Sequence, residues 1–511
     1  MKSPMNSKPL IPNGAAPAAR LRIALVGSGG VGLVTAASLA RLGHHVTAFD
    51  SDAGKVAALQ RGDVPIHEPG LRALVTAQCA AGRLAFTAEL AEALADAALV
   101  FVAVGTPARD DGSLSTDALD AATTLLCAHI GSPTVVVLTS TVPVGTARGM
   151  RAAFAAWNAD IAHGAAVPQV VSNPEFLREG SALQDFMAPD RLIFGVDHGD
   201  DEADDTATGR TALTLLRRVY APLIEAGAPV FEMDTRSAEL AKCAANAMLA
   251  ARISFVNEIA AIAEATGADI ERVCEGIGSD RRIGPHCLKA GLGYGGSGFP
   301  KDVAALRHAA RQHQLRSDVL AATERVNGRQ RCWPLEALRR DLGGWPALRG
   351  LRVAMWGLAF KPGTDDMREA PSLLLIERLR RAGVHLQLHD PAAMANAQAL
   401  VGRDTGIRWC ASAADALDDA DALMLVTEWP EFVAFAPEAA ASALRLRSVF
   451  DGRNALDAAA WGAAGLRVFQ VGRRGARRPP PLEPNHAAEP RTGHVGRGAA
   501  TDAFSASMLM A

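Results

Sequence analysis

Residues 21–50 read LRIALVGSGGVGLVTAASLARLGHHVTAFD, and this stretch decides the fold. LRIALV has the composition of a buried strand, and GSGGVG follows it without a gap. Gly27, Gly29 and Gly32 stand at the spacing that permits a tight turn, close approach of a pyrophosphate and packing of a helix on a sheet; Ser28, Gly30 and Val31 complete the turn. The helical run LVTAASLARLG closes at Gly43, and a second strand, HVTAF, leads into Asp50. A carboxylate at that point accepts hydrogen bonds from an adenosine ribose diol and repels a 2′-phosphate, so the expected cofactor is NAD. Glycines alone also serve ordinary turns. Strand, helix and terminal Asp together carry the reading, and they name a cofactor rather than a reaction.

Outward from this unit the same rhythm continues. LVFVAVG, TVVVLTS, PQVVSNP and RLIFGV alternate with Ala/Leu-rich amphipathic runs before residue 200. A long helical pattern follows from about Ser237 to Thr266 and ends at Gly267. The rhythm then restarts with LRVAMWG, VHLQLHD, ADALMLV and SVFDGRN. The expected fold is α/β: two Rossmann-like, doubly wound parallel-sheet domains joined by a long central helix. The expected boundaries are 21–230 for an NAD-binding domain, 231–330 for a central helical region with a catalytic loop, and 331–473 for a second Rossmann-like domain. Residues 1–20 and 474–511 have the Pro, Gly, Ala and Ser bias of disordered ends.

Composition narrows the function class. Among 511 residues, 49% are hydrophobic and 21% charged, the formal net charge is −3, and the two signs are interspersed. That pattern argues against a nucleic-acid or membrane surface. Seven scattered cysteines without a CxxC pair indicate neither a zinc site nor a disulfide framework, and no run reaches membrane-spanning length. The expectation is a cytoplasmic enzyme of small molecules with no metal.

Further segments are more specific: PIHEPGL (65–71), VGTP (104–107), STVPVGT (140–146), SNPEFLREGSA (172–182), PDR (189–191), SAELAKCAANAMLA (237–250), RIGPHCLKAGLGYGGSGFPKD (282–302), GLAFKPGTDDMREAPS (357–372), TEW (427–429) and DGRN (451–454). In this order they resemble the UDP-glucose 6-dehydrogenase family, whose members oxidise a sugar C6 alcohol to a carboxylate, and the resemblance spans roughly residues 21–472. It implies NAD contacts at Thr106, Thr141, Lys55, Glu179, Lys301 and Arg368. It implies a catalytic set of Lys242 and Asn246 at the C6 oxygen, Asp302 as partner for activating water, Glu175 positioning that water, and Thr141 nearby. For the UDP-sugar it implies Phe176, Leu177, Arg178 and Glu179; the stretch Lys289, Ala290, Gly291, Leu292, Gly293, Tyr294, Gly295; Phe360, Lys361 and Arg453; and Arg282 reaching a neighbouring subunit. UDP-glucose is the expected substrate, and a homodimer built on the long helix the expected assembly.

The residues themselves suit these roles. Lys242 and Asn246, four apart on a helix, share a face, and a lysine among alanines is partly desolvated, which suits acid/base work. Glu175 and Glu179 are expected to straddle one helical turn, with both carboxylates toward the cleft. One position departs from the resemblance. The family pattern GGSCFPKD carries a nucleophilic cysteine, and this chain has Gly298 there. Glycine cannot form the covalent intermediate that splits the second oxidation into easier steps. Three readings stay open: an acid-forming dehydrogenase with slowed turnover, a dehydrogenase that stops at the aldehyde or takes another UDP-sugar, and a silent NAD/UDP-sugar-binding subunit. Thr139, where relatives usually carry Lys, and Cys243, where Tyr is common, are lesser departures.

Overall fold

The computed structural model describes residues 20–130, 134–160, 167–197 and 205–474. The expected disorder of 1–19 and 475–511 lies outside the described residues. Among the described residues, fourteen strands form two sheets. The first comprises β1 (Arg22–Val26), β2 (His45–Phe49), β3 (Leu84–Thr87), β4 (Leu99–Val102), β5 (Val135–Leu138), β6 (Gln169–Ser172), β7 (Leu192–Gly195) and β8 (Val230–Met233), in the order β3-β2-β1-β4-β5-β6-β7-β8. The order runs outward in both directions from β1 and β4, so their carboxyl ends form the switch point at which open α/β sheets bind ligands. The second sheet comprises β9 (Arg352–Trp356), β10 (His385–His389), β11 (Ile407–Trp409), β12 (Ala422–Leu425), β13 (Ser448–Asp451) and β14 (Arg467–Gln470), in the order β11-β10-β9-β12-β13-β14. It repeats the first sheet's logic around β9 and β12.

Two details differ from the expected parallel sheets. β7 pairs antiparallel with β6 through Ser172 and Gly195, while β8 runs parallel to β7. Gly195 has no room for a side chain there, since a Cβ would fall 2.5 Å from the Ala238 methyl. The strand β8 also carries the first sheet past residue 230. β3, β8, β11 and β14 escape the sequence rhythm because they are short edge or near-edge strands with mixed burial. The central strands β4, β5, β12 and β13 are buried along their whole length, as continuous apolar runs with helices on both faces require.

The central helix spans Thr235–Thr266. Asp234 caps it by accepting from the Ser237 N–H, and Gly267 ends it in the left-handed conformation at φ +82°. The helices Phe299–Gln312 and Asp318–Gln330 pack against it and complete the central region. No described helix is long and apolar enough to cross a membrane.

Candidate active site

The glycine turn forms as its spacing requires. Gly27 has φ +98°, and a Cβ on it would fall 2.9 Å from the Ala103 carbonyl oxygen; a Cβ on Gly32 would fall 1.9 Å from that of Gly27. The following helix, Gly30–Arg41, has Gly29 at its N-cap and no capping side chain, which leaves first-turn N–H groups for an anion. Asp50 is buried beneath the turn. Its Oδ2 accepts from the Ser28 N–H (2.9 Å), the Ser28 hydroxyl (2.7 Å) and the Lys55 ammonium (2.9 Å), and its Oδ1 accepts from the Asp52 N–H (3.0 Å). Burial pushes this carboxyl's pKa up, but the hydrogen bonds from Lys55, Asp52 and Ser28 outweigh it, so Asp50 titrates below the usual carboxylate range. Oδ1 keeps a lone pair for a ribose hydroxyl. The cradle therefore fits an adenosine dinucleotide. At the neighbouring edges of β4 and β5, the buried Thr106 hydroxyl donates to the Thr141 carbonyl at 2.6 Å. Thr139 is buried at the end of β5 and donates to Val102 O at 2.9 Å.

One expectation about the acidic pair is overturned. Residues 173–178 are irregular and 179–180 a turn, so Glu175 and Glu179 do not share a helix. The Glu175 side chain instead binds its own backbone, accepting from the Leu177 N–H at 2.6 Å, and Gly180 at φ +79° turns the chain. Glu68 of PIHEPGL holds this loop, accepting from the N–H groups of Gly180 (2.6 Å) and Ala182 (2.8 Å). Both glutamates still find partners across the fold. Glu175 Oε1 lies 3.2 Å from the buried Lys242 ammonium. Glu179 Oε1 accepts from the Ser297 hydroxyl at 2.6 Å and lies 3.5 Å from Arg368. Burial, reinforced by the charge of Asp366, raises the Glu179 carboxyl to about 6.

The long helix carries Lys242 and Asn246 on one face, as spaced. Asn246 donates to Asp302 Oδ2 at 2.6 Å, and Lys301 donates to Asp302 Oδ1 at 2.6 Å. Asp302 is fully buried. Gly298 caps the helix Phe299–Gln312 and accepts the Asp302 N–H at 3.0 Å, so position 298 abuts the Asn246–Asp302 pair. The Phe176 ring lies under two cations, with Arg191 3.6 Å and Lys242 5.2 Å from its centroid. Leu177 packs against the first domain's core, and Arg178 turns to Asp185 at the surface. Cys243 and Cys287 are both held in the protonated, weakly nucleophilic form. Burial pushes Cys243 up to about 12 and raises Cys287, which sits at φ +57°.

The second domain closes the cleft. Gly291 lies against Gly452, Gly295 against Glu369 and Gly296 against the Phe360 ring, each close enough that a Cβ would crowd its neighbour. Arg453 donates to the carbonyls of Val426 (2.6 Å) and Phe360 (3.0 Å), which ties DGRN to AFKPG. Lys361 is held down in pKa by burial, against the charge of Glu179. Ala290, Leu292 and Tyr294 are buried, Lys289 is exposed, and Gly293 takes φ +75°. Arg368 is paired with Asp366 at 2.7 Å. Arg282 points outward and pairs with Asp280, so within one chain it stays clear of the cleft. Sequence reasoning missed Glu68, Arg191, Glu239 and Asp366. Glu239 is buried and accepts from Gly145 and Ala147, fixing the loop after STVPVG. Nothing in the spacing of Glu68, Arg191 and Glu239 reveals their partners elsewhere in the chain, and the pairing of Asp366 with Arg368 two residues on gives no sign that its charge reaches Glu179.

With this geometry in place, three consecutive family profiles match: the UDP-glucose/GDP-mannose dehydrogenase family's NAD binding domain over residues 21–224, its central domain over 236–329 and its UDP binding domain over 354–458. The chain belongs to the UDP-glucose/GDP-mannose dehydrogenase family. It is 44% identical to a UDP-glucose 6-dehydrogenase of Pseudomonas aeruginosa over 89% of this chain and 98% of that one. It is 40% identical to a UDP-glucose 6-dehydrogenase of Rhizobium meliloti over 89% and 100%. Among solved structures, a UDP-glucose dehydrogenase from Pyrobaculum islandicum aligns with TM-score 0.79 at 35% identity, covering 90% of this chain and 100% of that one. The family's NAD domain coincides with the sheet that holds the glycine turn, and its UDP domain with the second sheet. NAD is the family's cofactor, and the cradle of Gly27, Gly32 and Asp50 fits it.

Proposed function

We propose that this chain is an NAD-dependent UDP-glucose 6-dehydrogenase that oxidises C6 of UDP-glucose toward UDP-glucuronate. The observation that carries the reading is the pairing of Lys242 with Glu175 and of Asn246 with Asp302 from one face of the long helix. Bound NAD supplies the hydride acceptor. Lys242, as the neutral amine, takes the C6 hydroxyl proton as the alcohol becomes an aldehyde and the hydride leaves C6, and Glu175 beside it stabilises the ammonium that forms. Asn246, its carboxamide oriented by Asp302, holds the C6 oxygen, and Asp302 and Glu175 orient the water needed for the acid. Phe176 forms a wall of the sugar site. The segment Lys289–Gly295 with Phe360, Lys361 and Arg453 holds the uridine diphosphate through backbone N–H groups and cations.

Gly298 favours a second reading, in which the reaction stops at the aldehyde. The first oxidation needs only the hydride acceptor, a base and a held hydroxyl. Counting NADH formed per UDP-glucose decides: two supports the acid, one the aldehyde, and binding without NADH a silent subunit.

The proposed assembly is a homodimer. The long helix turns Lys242 and Asn246 to the site and exposes Met248 (63%), Phe255 (56%) and Ile262 (54%), seven residues apart, on its opposite face. Such a stripe suits a second copy of the same helix. In that assembly the outward-pointing Arg282 exchanges its Asp280 partner for the neighbouring cleft.

A further inference from the structure

The segment Lys289–Gly296 has no regular secondary structure, yet Ala290, Gly291, Leu292, Tyr294, Gly295 and Gly296 are buried. Buried backbone N–H and C=O groups require partners. At Gly291 and Tyr294, three side-chain carboxamides from two helices supply them, and the Arg368 carbonyl accepts the Gly296 N–H at 2.9 Å. Asn257, on the long helix, accepts the Gly291 N–H through Oδ1 at 2.9 Å, and Gln330 donates Nε2 to the Gly291 carbonyl at 2.8 Å. Asn327 takes both groups of Tyr294: its Oδ1 accepts the N–H at 2.8 Å and its Nδ2 donates to the carbonyl at 3.0 Å. A carboxamide carries the donor and acceptor of a peptide group, so Asn327 does for this loop what a neighbouring strand does in a sheet. Asn257 and Asn327 are 1% and 6% exposed, so water does not compete for these bonds. Asn327 and Gln330 lie three apart and present one helical face.

The loop sequence is matched to this device. Gly293 has φ +75°, and a Cβ there would fall 2.1 Å from Asn327 Oδ1. The second glycine of GLGY is therefore what admits the carboxamide.

We propose that Asn257, Asn327 and Gln330 are positioning residues for nucleotide-sugar binding, fixing the backbone of Lys289–Gly296 before the ligand arrives. Ordering a loop on binding weakens affinity, and a loop already ordered escapes that loss. The inference rests on the reading that this segment holds the UDP-sugar.

The test uses the full chain with UDP-glucose and NAD titrated separately by calorimetry. Asn327→Leu and Gln330→Leu are expected to weaken UDP-glucose binding about tenfold or more while NAD affinity stays within about twofold. Amide exchange in the peptide covering 289–296 is expected to accelerate in the same variants. Ser254→Ala is the control, because it removes a buried 2.8 Å bond to Thr323 between the same two helices without touching the loop. It is expected to leave UDP-glucose affinity unchanged. Gln330 is only half-buried, so its variant keeps the test alive if Asn327→Leu does not fold. Unchanged UDP-glucose affinity in both leucine variants, or an equal loss in Ser254→Ala, overturns the inference. Wild-type protein that binds no UDP-glucose overturns the proposed function and this inference with it; wild-type binding with unaffected variants overturns this inference alone.

Discussion

A Cβ placed on Gly298 stands 3.7 Å from Nδ2 of Asn246, an ordinary van der Waals distance, and meets nothing else within 4 Å outside its own stretch of chain. The backbone there, at φ −98° and ψ −75°, places no demand for glycine. A thiol introduced by Gly298→Cys would sit at a helix N-terminus, where the thiolate is favoured, beside the carboxamide expected to hold the C6 oxygen. Gly298→Cys is therefore expected to fold without loss of stability and to raise the rate of the second hydride transfer. Single-turnover measurement of NADH from supplied UDP-6-aldehyde checks it. No gain in a folded variant would show that the cleft has diverged beyond this one position.

Lys242 is the only lysine on the site face of the long helix, and Glu175 holds its ammonium at 3.2 Å. Lys242→Met keeps the length and apolar packing but removes the proposed general base. The expected result is a fall in kcat of about 10²-fold to 10⁴-fold, the usual worth of a positioned general base. The KM for NAD should hold within about twofold, since Lys242 does not touch the glycine turn. A loss of kcat below about fivefold would remove Lys242 from the chemistry.

Asp50 is held ionised by three donors on one oxygen and one on the other. Asp50→Ala leaves the Ser28 N–H buried without an acceptor, at about 1–3 kcal/mol, and removes the ribose contact. NAD affinity is expected to drop by about tenfold to a hundredfold in a fluorescence titration, with UDP-glucose affinity retained. Because the Asp50 carboxyl titrates below the ordinary range, NAD affinity should stay level from pH 6 to 8; a fall across that interval would contradict the assignment.

Glu179 makes the stability depend on pH. Its carboxyl is raised from 4.5 to about 6, first by burial and then by Asp366. Between these values the unfolded chain has released the proton that the folded chain still holds. The contribution is present below pH 4.5 and is lost as pH rises through about 6. Glu179→Gln removes this dependence. The Tm of the wild type relative to the variant is expected to fall as pH is raised from 4.5 to 6.5, and a flat difference would place the titration elsewhere.

Phe255 lies at the middle of the exposed apolar stripe and away from the cleft. Phe255→Glu puts like charges opposite each other in a two-fold helix pair. Light scattering should report a shift from dimer to monomer. A wild-type protein already monomeric at micromolar concentration would exclude the proposed assembly.

Much of this molecule was legible before any coordinates. A glycine turn, a capped long helix and apolar strands are set by neighbours in the chain: GSGGVG makes its own bend, Asp234 caps its own helix, and Lys242 and Asn246 share a face because they are four apart. Cofactor and fold class followed from those local rules. The loop NPEFLREG did not, because Glu175 spends an oxygen on the Leu177 N–H and Glu68, more than a hundred residues away in sequence, fixes the turn. The same holds for the Glu179–Ser297 bond, the stacking of Arg191 on Phe176, and the carboxamides that hold Gly291 and Tyr294. Those contacts join residues 15 to 118 positions apart, and hydrogen bonds and burial at that range arise only once the sheets and helices have packed. The sequence by itself determined the central strands, the long helix and which cofactor the first glycine turn cradles. Only the tertiary structure decided which oxygen meets which nitrogen in the cleft, and that Gly298 opens onto Asn246.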